Sequence, residues 1–454
     1  MKVAVVGGGI SGLATAFFLT QRNEHEVTVY EKENCLGGKI RGSEVGGLLV
    51  EEGPDAFVTR SPEIFEIIAA LGVEDQLIHP LANRALIYRK KALHYLPAGL
   101  TLGFPATKEH IFTNKVLTPA ERMITYAKWR LANARNQSVD GDDLGNILEH
   151  YISRSYTNNV LDPLIGGINA ASIHGASAEI TAPQILNLLK GLQPVTHMGR
   201  PEMQLPPFAS FKHGLDFLIR SLNQYLESKG TLVLKDTPVI GLRSTDTGVQ
   251  VAAHESLESF DKVVLATPSR SAGDLIQSIS PESAALLNSI RRASVIMTTV
   301  LASGDLSHID SQVSGVLVPR TEPYFTTAIT IGPNKWPTWR SDEGVVLRIS
   351  SGRLEERAHL ALEPETLVHL LMGEVQEVLG SDIKVVDYRV SSWKESFVRF
   401  SPYHRQLILK VQNKLAQESD SKIELAGSYL LGSGIPTCVR TAKLAAIKVS
   451  GQTI

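Results

Sequence analysis

Three glycines near the start of the chain have the spacing of a phosphate-binding turn. The segment GGGISG places Gly7, Gly9 and Gly12 at the three positions of the pattern G-x-G-x-x-G. The first glycine of this pattern permits a tight turn, the second lets the backbone approach a pyrophosphate, and the third lets a helix pack closely on a strand. The following helix would offer free N–H groups and partial positive charge to the phosphates. Ile10 and Ser11 lie within the turn and are predicted to contact the same ligand.

A second group of residues extends this predicted dinucleotide site. Glu31 follows the third glycine by 19 residues, and its carboxylate would accept hydrogen bonds from both ribose hydroxyls. Gly37 and Gly38 leave backbone N–H groups free to hold an anion, and Lys39 adds positive charge beside them, while Lys32 is predicted to lie near the same ligand. The residues alone leave open a glycine turn without a ligand, and surface roles for Glu31 and Lys39.

The elements that must hold these residues follow from the apolar pattern. Residues 2–6 are typical of a short strand, 13–21 of a helix and 26–31 of a second strand. Strand, glycine turn, helix and strand within about thirty residues form the βαβ unit of a dinucleotide-binding domain. A secretory leader is the alternative for this apolar start. Its helix would be weakened by the glycines, and no small-residue cleavage site precedes Arg22.

The rest of the chain indicates further modules. Residues 61–72 form a predicted helix with Ser61 as its N-cap and Gly72 at its end. Residues 105–195 read as a largely helical lobe, and strand patterns return between 231 and 268. A helix is predicted over 364–380, and residues 423–449 read as a strand, a glycine-rich turn and a terminal helix. We therefore expect interleaved domains.

Composition restricts the function further. A chain of 454 residues predicts two or three domains. The balance of 45 Lys+Arg against 47 Asp+Glu removes the bulk electrostatic argument for a nucleic-acid partner. Cys35 and Cys438 are too few for a disulfide framework or zinc site, which fits a reducing cytoplasm. The scattered histidines suggest no catalytic triad and no metal site, and shorter apolar patches leave contact with a bilayer surface open.

Beyond the first turn, the chain resembles the flavin amine oxidase superfamily. The resemblance begins with VYEKENCLGGKIRG, residues 29–42, and it implies FAD rather than NAD. Within the superfamily, VEEGPDAFVTRSPE (50–63) and GSYLLGSGIPTCVRTAKLAA (427–446) resemble segments that face the flavin in protoporphyrinogen oxidases and bacterial coproporphyrinogen oxidases. The segments DPLIGGINAAS, KHGL, NKWP and WKES fall in the same family order, while residues 170–172, 398–400 and Thr437 depart from its usual residues.

This resemblance implies an α/β fold with three interleaved modules. The first is a Rossmann-type, three-layer ββα domain that binds FAD, and the second is a mixed-sheet substrate domain. A helical lobe, residues 105–194, is the third. The FAD domain is assigned 1–76, 208–272 and 422–454, and the substrate domain 77–104, 195–207 and 273–421.

The resemblance also implies the reaction. A porphyrinogen, either coproporphyrinogen III or protoporphyrinogen IX, would be oxidised to the porphyrin of haem biosynthesis by repeated hydride transfer to flavin N5. O2 would accept the electrons and give H2O2. Because pyrrole nitrogens assist hydride loss and the flavin carries the chemistry, no catalytic side chain is required. The alternatives are another superfamily oxidase or desaturase acting on an amine or polyene, and a weakly active flavin- or porphyrin-binding protein that delivers product to the next haem enzyme. The expected location is the cytoplasm, with peripheral contact at the inner face of the cell membrane left open.

Further site residues come from the same resemblance. A macrocycle needs a broad apolar slot with a cation at its rim for propionates. Arg60 is the candidate cation, with a solvated loop arginine as the alternative. The slot floor is assigned to Gly166, Gly167, Ile168 and Asn169, where a helix C-cap is the alternative, and its other side to Phe325 and Ile329, which as strand residues would equally suit a core. The remaining predicted FAD contacts are Gly53, Pro54, Asp55, Ala56, Val239, Thr267, Trp393, Gly427, Gly434, Ile435 and Pro436, while Cys438 is interpreted as a small packed residue.

Overall fold

A computed structural model describes residues 1–21, 24–82, 84–135, 139–191, 206–254 and 256–451. Its strands, in chain order, are β1 (Lys2–Val6), β2 (Glu26–Tyr30), β3 (Gly42–Val45), β4 (Leu48–Glu51), β5 (Phe57–Val58), β6 (Leu77–Ile78), β7 (Arg84–Arg89), β8 (Ala92–Tyr95), β9 (Phe208–Phe211), β10 (Leu232–Leu234), β11 (Val239–Ser244), β12 (Val249–Ala253), β13 (Ser256–Phe260), β14 (Lys262–Leu265), β15 (Arg292–Ser303), β16 (Val313–Leu317), β17 (Thr326–Ile331), β18 (Val345–Ser351), β19 (Lys384–Val398) and β20 (Ile423–Leu425).

The helices of the described residues fall between these strands. They are α1 (Ile10–Thr20), α2 (Pro62–Leu71), α3 (Lys108–Phe112), α4 (Pro119–Arg135), α5 (Leu144–Tyr151), α6 (Arg154–Tyr156), α7 (Gly167–Asn169), α8 (Ala178–Thr181), α9 (Pro183–Leu189), α10 (Asp216–Ser228), α11 (Ser269–Ile276), α12 (Pro281–Ser289), α13 (Gly332–Lys335), α14 (Pro364–Leu379), α15 (His404–Glu418), α16 (Ser428–Leu431) and α17 (Ile435–Val449). A π-helical stretch, Thr157–Gly166, joins α6 to α7.

A five-stranded parallel sheet in the order β10-β2-β1-β14-β20 forms the centre of the first module. Successive side chains of a strand point to opposite faces, and β1 shows the consequence. Val3 and Val5 enter a core with α1, α10 and α17, while Ala4 and Val6 enter a core with the antiparallel sheet β11-β12-β13. Helices, parallel sheet and second sheet therefore form three layers, as predicted for a ββα dinucleotide-binding domain.

A seven-stranded mixed sheet, in the order β19-β15-β18-β17-β16-β7-β8, forms the second module. Its apolar face packs against α14, with Val300, Leu347 and Leu371 in the shared core. The remaining sheets are the hairpin β3-β4 and the small sheet β5-β9-β6. Since β15 to β19 come from one stretch of chain and β7 and β8 from another, the two modules are interleaved in sequence.

The predicted helical lobe is present between Lys108 and Leu189, and it has its own core, which includes Leu148, Tyr156 and Ile185. The module boundaries remain predictions, and residues 195–205 lie outside the described part. One boundary calls for adjustment: α12 and α15 lie in the segment assigned to the substrate domain, yet Leu287 and Val411 pack in the core of the parallel sheet. Among the described helices, none combines the length and apolar character needed to cross a membrane.

Candidate active site

The first glycine turn has the shape that its spacing predicts. Gly7 has φ +111°, and a Cβ there would lie 3.0 Å from the carbonyl oxygen of Ala266. A Cβ on Gly12 would lie only 1.8 Å from the carbonyl oxygen of Gly7, so α1 can approach β1 only because this residue is glycine. Around Gly9, by contrast, a Cβ would have no protein atom nearer than 3.9 Å. Packing thus requires the outer glycines, while the middle one faces space that suits a pyrophosphate.

The glycine pair lies directly beside this turn. The Gly37 N–H donates to the Gly8 carbonyl at 2.9 Å, and Gly37 forms a parallel bridge with Gly9. Gly37 and Gly38 have φ of +101° and +61°, in the left-handed region that favours glycine. The structure therefore joins two motifs that the sequence presents separately into one backbone cradle.

Glu31 lies at the end of β2, buried against the same cradle. One carboxylate oxygen accepts from the Gly8 N–H at 2.7 Å, and the other accepts from the Glu33 N–H at 2.9 Å. Because each oxygen has a second lone pair, the carboxylate retains capacity for ribose hydroxyls. The neighbouring Lys32 is exposed and pairs with Glu33 at 3.3 Å. Its side chain therefore lies on the solvent side of the predicted dinucleotide site.

Two predicted contacts flank the cradle. The Thr237 N–H donates to the Glu31 carbonyl at 2.8 Å, which brings the start of β11, Val239, close to the end of β2. On the other side, the backbone nitrogen of Thr267 would lie 3.3 Å from a Cβ on Gly7. The Thr267 hydroxyl is buried without a hydrogen-bond partner among the described residues. A buried polar atom without a partner beside the turn suits a polar ligand there.

Lys39 connects the cradle to the end of β19. Its amine donates to the carbonyl of Ser396, and burial lowers its pKa. The charge of Lys39 also acts on Cys438, a buried free cysteine at the start of α17. Burial raises the pKa of that thiol, and a hydrogen bond with Ser11 opposes the rise. The first turns of α1 and α17 therefore meet beside Lys39, and the interpretation of Cys438 as a packed residue is confirmed.

The segment GPDA is fixed by a partly buried charge cluster around Asp55. Asp55 accepts from the Lys335 amine at 2.7 Å and the Trp336 indole N–H at 3.2 Å, and an Arg348 nitrogen lies 3.3 Å away. Burial alone would raise the pKa of Asp55, but Lys335 and Arg348 outweigh it and hold the pKa well below its usual range. Arg348 also donates to the Gly53 carbonyl. Asp55 therefore anchors the segment that is predicted to face the flavin.

Neighbouring residues complete this anchoring. The Trp393 indole N–H donates to the Glu52 carbonyl at 2.9 Å. Ala56 packs on the apolar cluster that contains Trp336, and Pro54, two residues earlier in the chain, is half-buried. Sequence reasoning missed Lys335 and Arg348 as partners of Asp55. The signal for Arg348 was available, because a lone arginine interrupts the apolar strand VVLRISS.

The C-terminal turn brings a helix N-terminus to the same region. Gly427 has φ +140°, and its N–H donates to the Thr441 hydroxyl at 3.1 Å. Gly434 is the N-cap of α17, with Ile435 and Pro436 as the first residues of the helix. Since α17 packs on α1, the positive ends of two helices converge near the glycine turn.

The predicted slot floor divides into packed and open positions. A Cβ on Gly166 would lie 2.5 Å from the Ala171 carbonyl oxygen, so chain packing by itself requires glycine at this position. A Cβ on Gly167 would meet nothing within 4 Å, and Ile168 is 68% exposed. The Asn169 side-chain amide donates to the Ile165 carbonyl at 3.0 Å. Gly167 and Ile168 remain the residues available to a ligand.

The other predicted substrate residues are dispersed. Arg60 is exposed just after β5, with no hydrogen bond or ion pair to another described residue. Ile329 is buried in the core that packs on α14. Its side chain therefore belongs to the core, as the alternative interpretation predicts, and does not line a slot. Phe325 is half-buried at the edge of that core, and its N–H donates to Glu374 at 2.9 Å. No hydrogen bond joins these three residues to the segment 166–169 among the described contacts.

Two of the departures from the family pattern pack against each other. Arg399 donates to the carbonyls of Ser172 and His174, and the Ser177 N–H donates to the Phe400 carbonyl at 2.7 Å. Ala171 and Val398 line one small cavity between the two segments. The two segments that depart from the family pattern, 170–172 and 398–400, thus pack against each other.

The fold and the site define a dinucleotide-binding flavoprotein of the oxidoreductase class, with a backbone cradle on one side and an anchored loop on the other. A family model for flavin containing amine oxidoreductase matches residues 10–450. The chain belongs to that family. The predicted superfamily and the FAD cofactor are thereby confirmed, and the described cradle fits that cofactor.

Individual relatives extend along the whole chain. Coproporphyrinogen III oxidase of Staphylococcus aureus is 25% identical over 472 residues, covering 99% of both chains. The enzyme of the same name from Mycobacterium tuberculosis is 28% identical over 464 residues, covering 98% of this chain and 96% of the relative. Among solved structures, a candidate protoporphyrinogen oxidase from Exiguobacterium sp. superposes with a TM-score of 0.86 at 25% identity, covering 99% of both chains.

The space in front of Gly9 generates a test of cofactor binding. In Gly9→Val, the new side chain enters open space, so the protein should fold, but the pyrophosphate loses its position and FAD retention should be abolished. The absorbance of bound flavin and the circular-dichroism melting curve measure the two effects separately. Gly241→Val is the matched control, because a Cβ there likewise enters open space, with nothing within 4 Å. Flavin content equal to that of the control would show that Gly9 is only a turn residue.

The buried carboxyl of Glu51 generates a pH prediction. One of its oxygens accepts from the Leu215 N–H at 2.6 Å, the other has no partner among the described residues, and burial raises its pKa to about 7. The folded state thus holds the proton more tightly than the unfolded state. Protonated Glu51 therefore contributes to the free energy of unfolding at low pH. This contribution falls as the pH rises above 4.5, the ordinary pKa of the group, and is lost above about pH 7.

Glu51→Gln mimics the protonated carboxyl and should remove this dependence. Relative to the parent, the melting temperature of the variant should rise by roughly a few degrees between pH 5 and pH 8. Denaturation curves across this range measure the difference, with the exposed Glu74→Gln as control. A parent-to-variant difference that is constant with pH would contradict a titrating Glu51.

Proposed function

We propose that this protein is an FAD-dependent porphyrinogen oxidase of haem biosynthesis, with coproporphyrinogen III as its preferred substrate. The observation that carries the proposal is the end-to-end likeness to relatives named coproporphyrinogen III oxidase, at 25% and 28% identity. A likeness confined to the cofactor domain would favour only the family, whereas these alignments also include the segments assigned to the substrate.

The geometry supports a separate role for each group of residues in the site. FAD, when bound, supplies two-electron oxidation by accepting a hydride. Gly9, Gly37 and Gly38 would hold its pyrophosphate, and Glu31 would hold its ribose. Asp55, fixed by Lys335 and Arg348, keeps the GPDA segment from moving when substrate enters. None of these roles transfers a proton, which agrees with a substrate whose own nitrogens assist hydride loss.

The substrate side rests on fewer residues. Gly167 and Ile168 offer open surface, and Arg60 offers a free cation for a propionate. Ile329 is left out of this proposal because it is buried in the core. O2 is the proposed acceptor, and transfer of the porphyrin to the next haem enzyme is the proposed fate of the product. An amine or polyene oxidase and a weakly active binding protein remain the competing functions.

One paired assay tests this function. Flavin-loaded protein should oxidise chemically reduced coproporphyrinogen III faster than protoporphyrinogen IX, with porphyrin fluorescence, O2 consumption and H2O2 release rising together. The flavin-free Gly9→Val protein measures the rate of autoxidation. With full FAD occupancy, a rate no greater than autoxidation on both substrates would exclude the proposed activity and favour the binding protein or another oxidase. A preference for protoporphyrinogen IX would overturn the substrate assignment alone.

The exposed guanidinium of Arg60 generates a second prediction. A charge-assisted pair with a propionate contributes roughly 1.5–3 kcal/mol when desolvated and less when exposed. Arg60→Ala should therefore raise KM about tenfold at low salt, with kcat and FAD content little changed. Higher ionic strength should shrink the difference. Arg243→Ala, at another exposed arginine, is the control. A KM equal to that of the control at low salt would make Arg60 a solvated loop residue.

A further inference from the structure

Helix α7, Gly167–Asn169, follows a stretch of backbone with unusual geometry, and we call α7 the floor segment. The preceding residues, Thr157–Gly166, form a π-helix with Pro163 inside it. Such stretches are rare and frequently lie at functional sites. Asp162, in this π-helix, is buried, and one of its oxygens accepts from the Ile173 N–H at 2.9 Å. The carboxylate therefore ties together the chain before and after the floor segment.

Arg320 reaches the second oxygen of Asp162 from the loop between β16 and β17. Its Nε lies 3.5 Å from Asp162 Oδ2, and its Nη1 lies 3.1 Å from Glu356 Oε1. Arg353 holds the other Glu356 oxygen at 2.9 Å and donates to the Val318 carbonyl at 3.0 Å. Arg320 thus joins the π-helix of the helical lobe to a charged turn, residues 353–356, that follows the last residue of β18.

The same turn also holds the other end of the floor segment. The Leu354 N–H donates at 2.9 Å to the carbonyl of Ala170, the C-cap of α7. Leu354 packs with Ala170 and Ala171 in one small core. In the β16–β17 loop, the Thr321 hydroxyl donates to the Asn159 side-chain oxygen at 2.8 Å. The mixed sheet therefore holds the floor segment from both sides, through a carboxylate before it and a carbonyl after it.

We propose that Arg320 is a positioning residue for porphyrinogen oxidation. Its guanidinium is shared among Asp162, Glu355 and Glu356, so it acts on the substrate through Asp162 and the floor segment. Hydride transfer needs the reacting atoms in near-attack geometry, and a misplacement of about 1 Å costs up to about a hundredfold in rate. The inference rests on the proposed function, because the floor segment affects the rate only if it contacts the porphyrinogen.

Separate measurement of the two half-reactions tests this role. In Arg320→Met, anaerobic reduction of bound flavin by coproporphyrinogen III should slow at least about tenfold, measured as loss of flavin absorbance in a stopped-flow instrument. Reoxidation of chemically reduced flavin by O2 should keep the parent rate, because Arg320 holds a segment on the substrate side. Arg320→Lys keeps a cation beside Asp162 and should restore most of the rate, although lysine lacks the planar fork.

A second variant separates positioning from folding. Methionine at position 320 leaves the Asp162 carboxylate buried without its cation, which destabilises a fold. Asp162→Asn with Arg320→Met removes both charges, and asparagine still offers an oxygen to the Ile173 N–H. This double variant should melt near the parent temperature and still reduce its flavin slowly. Glu356→Gln leaves the Asp162 pair in place and should slow reduction by a smaller factor. Added to Arg320→Met, it should slow reduction no further, because both changes remove one contact.

The matched control removes an ion pair outside the site. Arg220 pairs with Asp216 at 2.9 Å on α10, so Arg220→Met should retain both parent rates. Flavin reduction at the parent rate in folded Arg320→Met and in the folded double variant would overturn the inference and leave the proposed function intact. Equal slowing of both half-reactions, or a loss of flavin, would make Arg320 a residue of general stability. If coproporphyrinogen III does not reduce the flavin of the parent protein, the proposed function itself fails.

Discussion

The contact between Gly12 and the backbone of Gly7 is the constraint on which the site depends. Any side chain at Gly12 would overlap the carbonyl oxygen, 1.8 Å from an added Cβ, so the close approach of α1 to β1 exists only with glycine. That approach sets the direction of the first free N–H groups of α1. It also places Gly8 where it can bond both Gly37 and Glu31. The cradle, the acidic strand end and the glycine pair are thus consequences of one backbone contact.

Local patterns predicted this part of the molecule well because its determinants lie close in sequence. Strand β1 has the predicted bounds, and α1 begins at Ile10 rather than Leu13 because the turn itself supplies the first helical residues. Helix α2 begins after Ser61 as predicted, yet the Ser61 hydroxyl bonds Glu63 rather than a backbone N–H. Sequence spacing predicts where a helix begins, but it does not predict whether the N-cap hydroxyl bonds a backbone N–H or a nearby side chain.

Long-range contacts limited what the sequence could predict. Asp55 is predicted to contact the cofactor, and its carboxylate is held by Lys335, 280 residues away. The periodicity of apolar residues along the chain gives no information about such a pairing. For Ile329 the sequence permitted slot or core, and only the packing of α14 on the seven-stranded sheet decides for the core. The family resemblance supplied order along the chain, whereas the charges and packing that fix each segment required three-dimensional placement.

The interleaved order of the parallel sheet has a consequence for biosynthesis. Its central strand β1 is translated well before β20 and α17, which close the same layer. The apolar side of α1 therefore stays uncovered until α17 has been translated. Such nonlocal closure slows folding and leaves a nascent intermediate exposed to aggregation. The cofactor-binding layer of this protein thus cannot close before residues 423–449 have been synthesised.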